Sequence, residues 1–169
     1  RTKGVPARVR CGFARYFHPP TYEDHWICES FDTHTRRWKM VDAQLDAEHR
    51  AHLTISFDTC DLPPSAFMFP WQVWEAFGHD HRGLEAFGHG DANGLWFVRV
   101  ALARDVLALA KHEVTDWDTW RDQGDKDKQA SAAALAQCTQ LAEAGRRLDV
   151  GAGIDTNAVA DLVSSLAVP

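Results

Sequence analysis

Hydrophobic and polar positions alternate over residues 7–17, with Val9, Cys11 and Phe13 on one side and Arg8 and Arg10 on the other. That period of two predicts a strand. Pro19-Pro20 marks a loop, and residues 25–31 (His-Trp-Ile-Cys-Glu-Ser-Phe) read as a second strand. A polar turn over residues 32–36 leads into a third strand over residues 37–42. Three strands joined by short connections predict an antiparallel meander.

The pattern changes after residue 42. Asp58, Asp61, Pro63, Pro64 and Ser65 punctuate a long mixed connection. Trp71, Trp74 and Phe77 then recur at helical spacing, and a Gly- and His-rich stretch follows from Gly78 to Gly94. Leu102, Val106, Leu109 and Ala110 predict an amphipathic helix over Trp96 to Glu113. Trp117 and Trp120 fit a short turn or helix, and residues 124–128 a solvated break. Leu135, Cys138, Leu141 and Ala142 share one helical face, with a stop near Gly145. A last short helix, capped by Asp155 or Thr156, is expected to bury Val159, Leu162, Val163 and Leu166. The expected fold class is α+β, an antiparallel sheet packed against helices, with residues 1–121 as the main domain and 122–169 as a helical C-terminal extension. No internal repeat is present.

Length and composition narrow the function classes. At 169 residues with 45% hydrophobic side chains, the chain can bury a core without a staple. The 24 acidic and 18 basic residues give a net charge of -6, with no basic run, which argues against nucleic acid or an anionic membrane as partner. Four cysteines do not make a disulfide scaffold. Cys11, Cys28 and Cys138 lie in apolar periodic segments and are expected to be buried thiols, which suggests a reducing, cytoplasmic setting.

Candidate chemistry centres on His25 and Asp42. On adjacent antiparallel strands with a turn between them, these two can be cross-strand neighbours on one face. A carboxylate beside an imidazole fixes its tautomer and stabilises its cation, the base-and-orienter half of a nucleophilic triad. The plainer reading is a core-edge histidine satisfied by a carboxylate. By alternation Glu29 shares this face and could pack near His25.

Gly4-Val5-Pro6-Ala7-Arg8-Val9, His25-Trp26-Ile27-Cys28-Glu29 and Trp38-Lys39-Met40-Val41-Asp42 resemble motifs of the transglutaminase-like superfamily of papain-type cysteine enzymes. These are similar to the family's Gly-(Ile/Val)-Pro-Ala-Arg strand entry, its His with Glu four residues on, and its Trp-led strand ending in Asp. Tyr16-Phe17, Tyr22-Glu23-Asp24 and Ala43-Gln44-Leu45-Asp46 are similar to a bacterial branch. The strong motifs cover residues 4–46, looser ones reach about residue 121, and none covers the tail. The resemblance implies a Cys-His-Asp triad, with His25 as general base and acid and Asp42 as its orienter. It also implies a thiol at the N-terminus of a helix preceding the Gly-Val-Pro-Ala-Arg strand, where the helix dipole and the imidazolium favour thiolate.

That helix would lie ahead of Arg1. Lys3-Gly4 followed by Pro6 reads as a helix-stop signal, so the sequence is expected to begin mid-domain. No cysteine here matches the family's nucleophile position. Cys11 sits in a strand interior, Cys28 points away from His25, Cys60 lies among aspartates and Cys138 on an apolar helical stripe. The expected activity is a cysteine enzyme acting on an amide or ester carbonyl of a peptide or small amide, by hydrolysis or acyl transfer. The alternative is a non-catalytic module of the same fold that binds a peptide or protein partner.

Other candidates carry a bland reading beside a functional one. His79, His81 and His89, with His49 and His52 apart, could form a zinc site or be solvated loop histidines. No metal and no cofactor is expected, calcium included, because no acidic loop of regular ligand spacing is present. Gln44 and Asp46 could line a cleft after Asp42 or cap a turn. Arg104 and Asp105 read as an ion pair to the sheet. Trp71, Trp74, Trp96, Trp117 and Trp120 read as core or as an aromatic substrate wall.

Overall fold

In a computed structural model, residues 4–80, 82–112, 131–151 and 161 are described. The predicted meander is present as β1 (Ala7–Ala14), β2 (Glu23–Asp32) and β3 (Arg37–Val41), all antiparallel. A two-residue strand, β4 (Phe67–Met68), pairs with the far edge of β1, giving the order β3-β2-β1-β4. The fold is therefore α+β, as the pattern implies. The β2–β3 turn is set by Asp32, whose carboxylate accepts from the backbone N–H of His34 at 2.9 Å.

β1 is shorter than predicted. It leaves the ladder at Ala14, because Arg15 N–H already donates to Ala66 O, 2.9 Å away, in the connection before β4. Gly12 permits that crossing. A Cβ there would stand 2.5 Å from Phe67 Cε1 and 2.6 Å from Met68 O, so β4 closes on β1 only over a residue without a side chain.

The sheet separates two apolar layers. On the face of Cys11 and Phe13 lie α2 (Pro70–Phe77), α3 (Leu95–Leu109) and α4 (Ala132–Asp149), with Val73, Phe87, Phe97, Leu102 and Leu141 in one core. On the face of Ala14 and Ile27 lies the connection between β3 and α2, which contributes Leu45, Leu62, Phe67 and Phe69. That connection also holds α1 (Ala47–His52) and seals the outer edge of β3, where Asp42 N–H donates to Thr59 O and Leu62 N–H to Met40 O, each at 2.9 Å. A short 3-10 turn (Gly83–Ala86) and a small hairpin, β5 (Gly88–His89) with β6 (Ala92–Asn93), fill the Gly-rich stretch.

Two helices differ from expectation. α3 is not amphipathic: it is buried on nearly every side, from Trp96 through Leu109. Its two charges point at the sheet, Arg104 Nη1 to Asp24 Oδ2 at 3.1 Å and Asp105 to Arg10 at 2.8 Å, so the structural reading of that pair holds. α4 runs through Gly145 to Asp149, because Gly145 is where the helix backbone meets Trp71 and Val106 rather than a stop. Its N-cap is Ser131, whose hydroxyl accepts from Ala134 N–H at 3.2 Å. Trp117, Trp120, the break at 124–128, the helix expected from Asp155 and most of the last residues lie outside the described residues.

Candidate functional site

His25 and Asp42 meet. β2 and β3 are in register from Cys28↔Val41 to Asp32↔Arg37, so the next residues along each strand, toward Ile27 and His25 on one and Asp42 on the other, splay from a common edge. His25 Nε2 lies 2.8 Å from Asp42 Oδ2, and the two residues are 8% and 3% exposed. Nδ1 of the ring has no hydrogen-bond partner among the described residues. Phe17 meets the imidazole edge-on at 4.9 Å between ring centres.

Asp42 is held from three sides. Tyr16 donates its hydroxyl to Oδ2 at 2.6 Å, the oxygen that also faces His25, and the Gln44 backbone N–H donates to Oδ1 at 2.9 Å. Burial alone would raise the Asp42 carboxyl. The hydrogen bonds from His25 and Tyr16 outweigh it and hold the group below the ordinary aspartate value. The Tyr16 phenol moves the other way, raised by burial and by its bond to the Asp42 carboxylate. Tyr16 therefore stays a neutral donor. Sequence reasoning gave Tyr16 no role. The signal was its parity: Gly12, Ala14 and Tyr16 continue the face that carries His25, although the ladder ends before Tyr16.

The remaining candidates separate from this pair. Glu29 is on the His25 face but is drawn to Arg8 Nε at 2.6 Å and Arg10 Nη1 at 2.8 Å, not to the imidazole. Asp46 caps α1 by accepting from His49 N–H at 2.9 Å, and Gln44 contributes its backbone rather than its side chain, so both serve turns. Glu23, two residues before His25, is clasped by His18 Nδ1 at 2.8 Å and by His89 Nδ1. Burial opposes the charge of Glu23, and the two histidine bonds overcome that and keep its carboxyl low. Trp96 is buried in the core and Trp71 and Trp74 pack against it, the structural outcome.

No thiol reaches His25. Cys11 is fully buried on the opposite face, and burial, then the Asp24 and Asp105 carboxylates, push it well above the ordinary thiol value. Cys138 is buried in the helical core, which pushes it up to about 12. Cys28 is exposed, a correction to the buried reading: helices cover the Cys11 and Phe13 end of that face but not the Cys28 end. Cys60 is exposed in the connection. Among the described residues, no group of three or more His, Cys, Asp or Glu is placed to hold a metal ion. No helix among them is long and apolar enough to cross a membrane.

A groove of about 590 Å3 continues the His25 face toward the other end of the sheet, walled by Glu29, Trp38, Met40, Phe67 and Phe69. No family model, curated protein or solved structure matches this chain.

Proposed function

We propose that this chain carries the base and orienter of a transglutaminase-like cysteine enzyme acting on an amide or ester carbonyl. The observation that carries this is His25, bound to a buried carboxylate through Nε2 and unspent at Nδ1. Asp42 fixes the tautomer and stabilises the imidazolium; Nδ1 is free to take a thiol proton. The thiolate attacks the carbonyl carbon and forms a C–S bond. The imidazolium then gives its proton to the departing amine or alcohol, leaving a thioester. Water or an amine, deprotonated by the same ring, releases the acyl group.

In this reading the thiol belongs to a helix ahead of Arg1. Gly4 has a φ of +72°, the left-handed conformation that ends helices, and Pro6 follows it. β1 enters the sheet at Ala7, and His25 lies opposite Gly12. Those five register steps span about 17 Å at ~3.3 Å each. A helix laid antiparallel to β1 covers that in about eleven residues, at ~1.5 Å each. The groove beside Trp38 and Met40, lined also by Glu29, Arg37 and Asp61, lies on that face.

The test is His25→Ala in the full-length protein, with acylation by an activated ester as the readout. The rate should fall by about 10²- to 10⁴-fold while the fold is kept. An undiminished rate overturns the reading. The four cysteines, none of which is hydrogen-bonded to His25, favour a second reading: a non-catalytic module that binds a peptide or protein partner. The encoded residue that opens the upstream helix separates the two. Cys supports the enzyme, and Ala, Ser or Gly supports the module.

A further inference from the structure

We propose that Tyr16 is a positioning residue of the His25–Asp42 pair, its hydroxyl fixing the Asp42 carboxylate in the orientation that faces the imidazole. The inference rests on the base-and-orienter reading of that pair. Three donors share the two oxygens of Asp42. Gln44 N–H holds Oδ1 at 2.9 Å, while the Tyr16 hydroxyl and His25 share Oδ2 at 2.6 and 2.8 Å. Without the hydroxyl, Oδ2 faces the imidazole alone, and one of the three bonds that orient the carboxylate is gone.

The phenol is itself locked. Tyr16 is 8% exposed, its ring meets Phe17 at 4.8 Å and Phe57 at 5.7 Å, and its edge contact with His25 is at 6.2 Å and 86°. In that apolar pocket the hydroxyl has one good acceptor, and losing it would strand a buried polar group. The raised phenol keeps its proton, so Tyr16 acts as a donor and never as a competing anion.

Sharing Oδ2 has a chemical consequence. The Tyr16 bond draws charge from the oxygen that faces the imidazole and weakens it as an acceptor of the ring N–H. The charged or titratable groups around the ring act consistently with this. Asp42 and Tyr16 are bonded as described, and Glu23, next along the same strand face, is taken up by His18 and His89. No other charged partner of the imidazole is present among the described residues.

The experiment is Tyr16→Phe in the full-length protein, which keeps the ring and removes the oxygen. The His25 Nε2–H proton resonance should move downfield, and the titration midpoint of the Asp42 carboxyl should rise. With a competent thiol, kcat/KM should fall about tenfold. If Tyr16→Phe does not fold, fluorotyrosine replaces the two tyrosines, Tyr16 and Tyr22, and strengthens the donor. The same proton should then move upfield. A resonance and a carboxyl titration that stay at their wild-type positions overturn the inference. Both readouts are independent of turnover, so failure of the cysteine-enzyme reading, judged by His25→Ala, is told apart from failure of this one.

Discussion

One face of β1 and β2 carries two clusters of buried charge, and they are built on opposite terms. At the end where the chain enters, Arg10 is fully buried and makes four hydrogen bonds. Nε and Nη2 fork onto the two oxygens of Asp105, while Nη1 reaches Glu29 and Asp149, all at 2.8 Å. Its guanidinium also lies over Phe69 at 3.6 Å. Burial opposes the charge of Arg10, and the three carboxylates more than restore it. Arg8 closes the cluster, bonded to Glu29 and Asp149 and stacked on Trp38. At the other end, His25 and Asp42 are also buried, yet the imidazole keeps a nitrogen without a partner among the described residues. A network with every strong partner used joins elements: here β1, β2, α3 and α4. A pair with capacity left over is suited to chemistry. The difference also draws Glu29 away from His25, since Arg8 and Glu29 form an ion pair at 2.6 Å.

The comparison breaks most visibly at Arg10. Replacing it by Met leaves Asp105 a buried carboxylate without its guanidinium and Glu29 with Arg8 alone, which should cost about 3–5 kcal/mol. The urea midpoint followed by tryptophan fluorescence would report it. A loss of less than about 1 kcal/mol on the same scale would mean that the cluster is not what ties α3 and α4 to the sheet.

Gly12→Ala probes the other end with a smaller expected effect. The new methyl meets the Phe67 ring and the Met68 carbonyl, and the carbonyl belongs to the backbone of β4, which cannot turn aside. Overpacking of this kind costs about 1–3 kcal/mol. Because Gly12 pairs with His25, the variant should also lower any rate that depends on that imidazole. A Gly12→Ala protein as stable as wild type would show that β4 is not held closely on β1.

The strands and the His25–Asp42 pair were legible because alternation and a short turn fix which residues share a face, with no long-range information needed. Arg10 was legible only as a polar position opposite Cys11. Its complete burial depends on Phe69 and Asp149, which the chain brings in from far along the sequence. α3 was misread for a related reason: periodicity reports an exposed face, and a helix enclosed by sheet and helices has little to report. Cys28 failed the opposite way, since an apolar residue on a strand says nothing about whether a second layer covers it. The role of Tyr16 was hidden by its place beyond the strand end, and only its parity hinted at it.

The smallest effect concerns acid. Asp42 is held below its unfolded value, which for aspartate is about 3.9. A carboxyl lowered on folding contributes stability that is present above that value and is lost as pH falls through the lower, folded one. The urea midpoint of the wild type should therefore drop more steeply between about pH 5 and pH 3 than that of Asp42→Asn. Other carboxylates lowered in the fold, Glu23 and Asp61 among them, titrate in both proteins and cancel in the difference. Tyr16→Phe should fall between the two, because one of the bonds that hold the carboxyl down is gone and the His25 bond remains. Parallel slopes in all three proteins would show that neither the imidazole nor the phenol stabilises the carboxylate, and the contrast between the two ends of the sheet would lose its energetic basis.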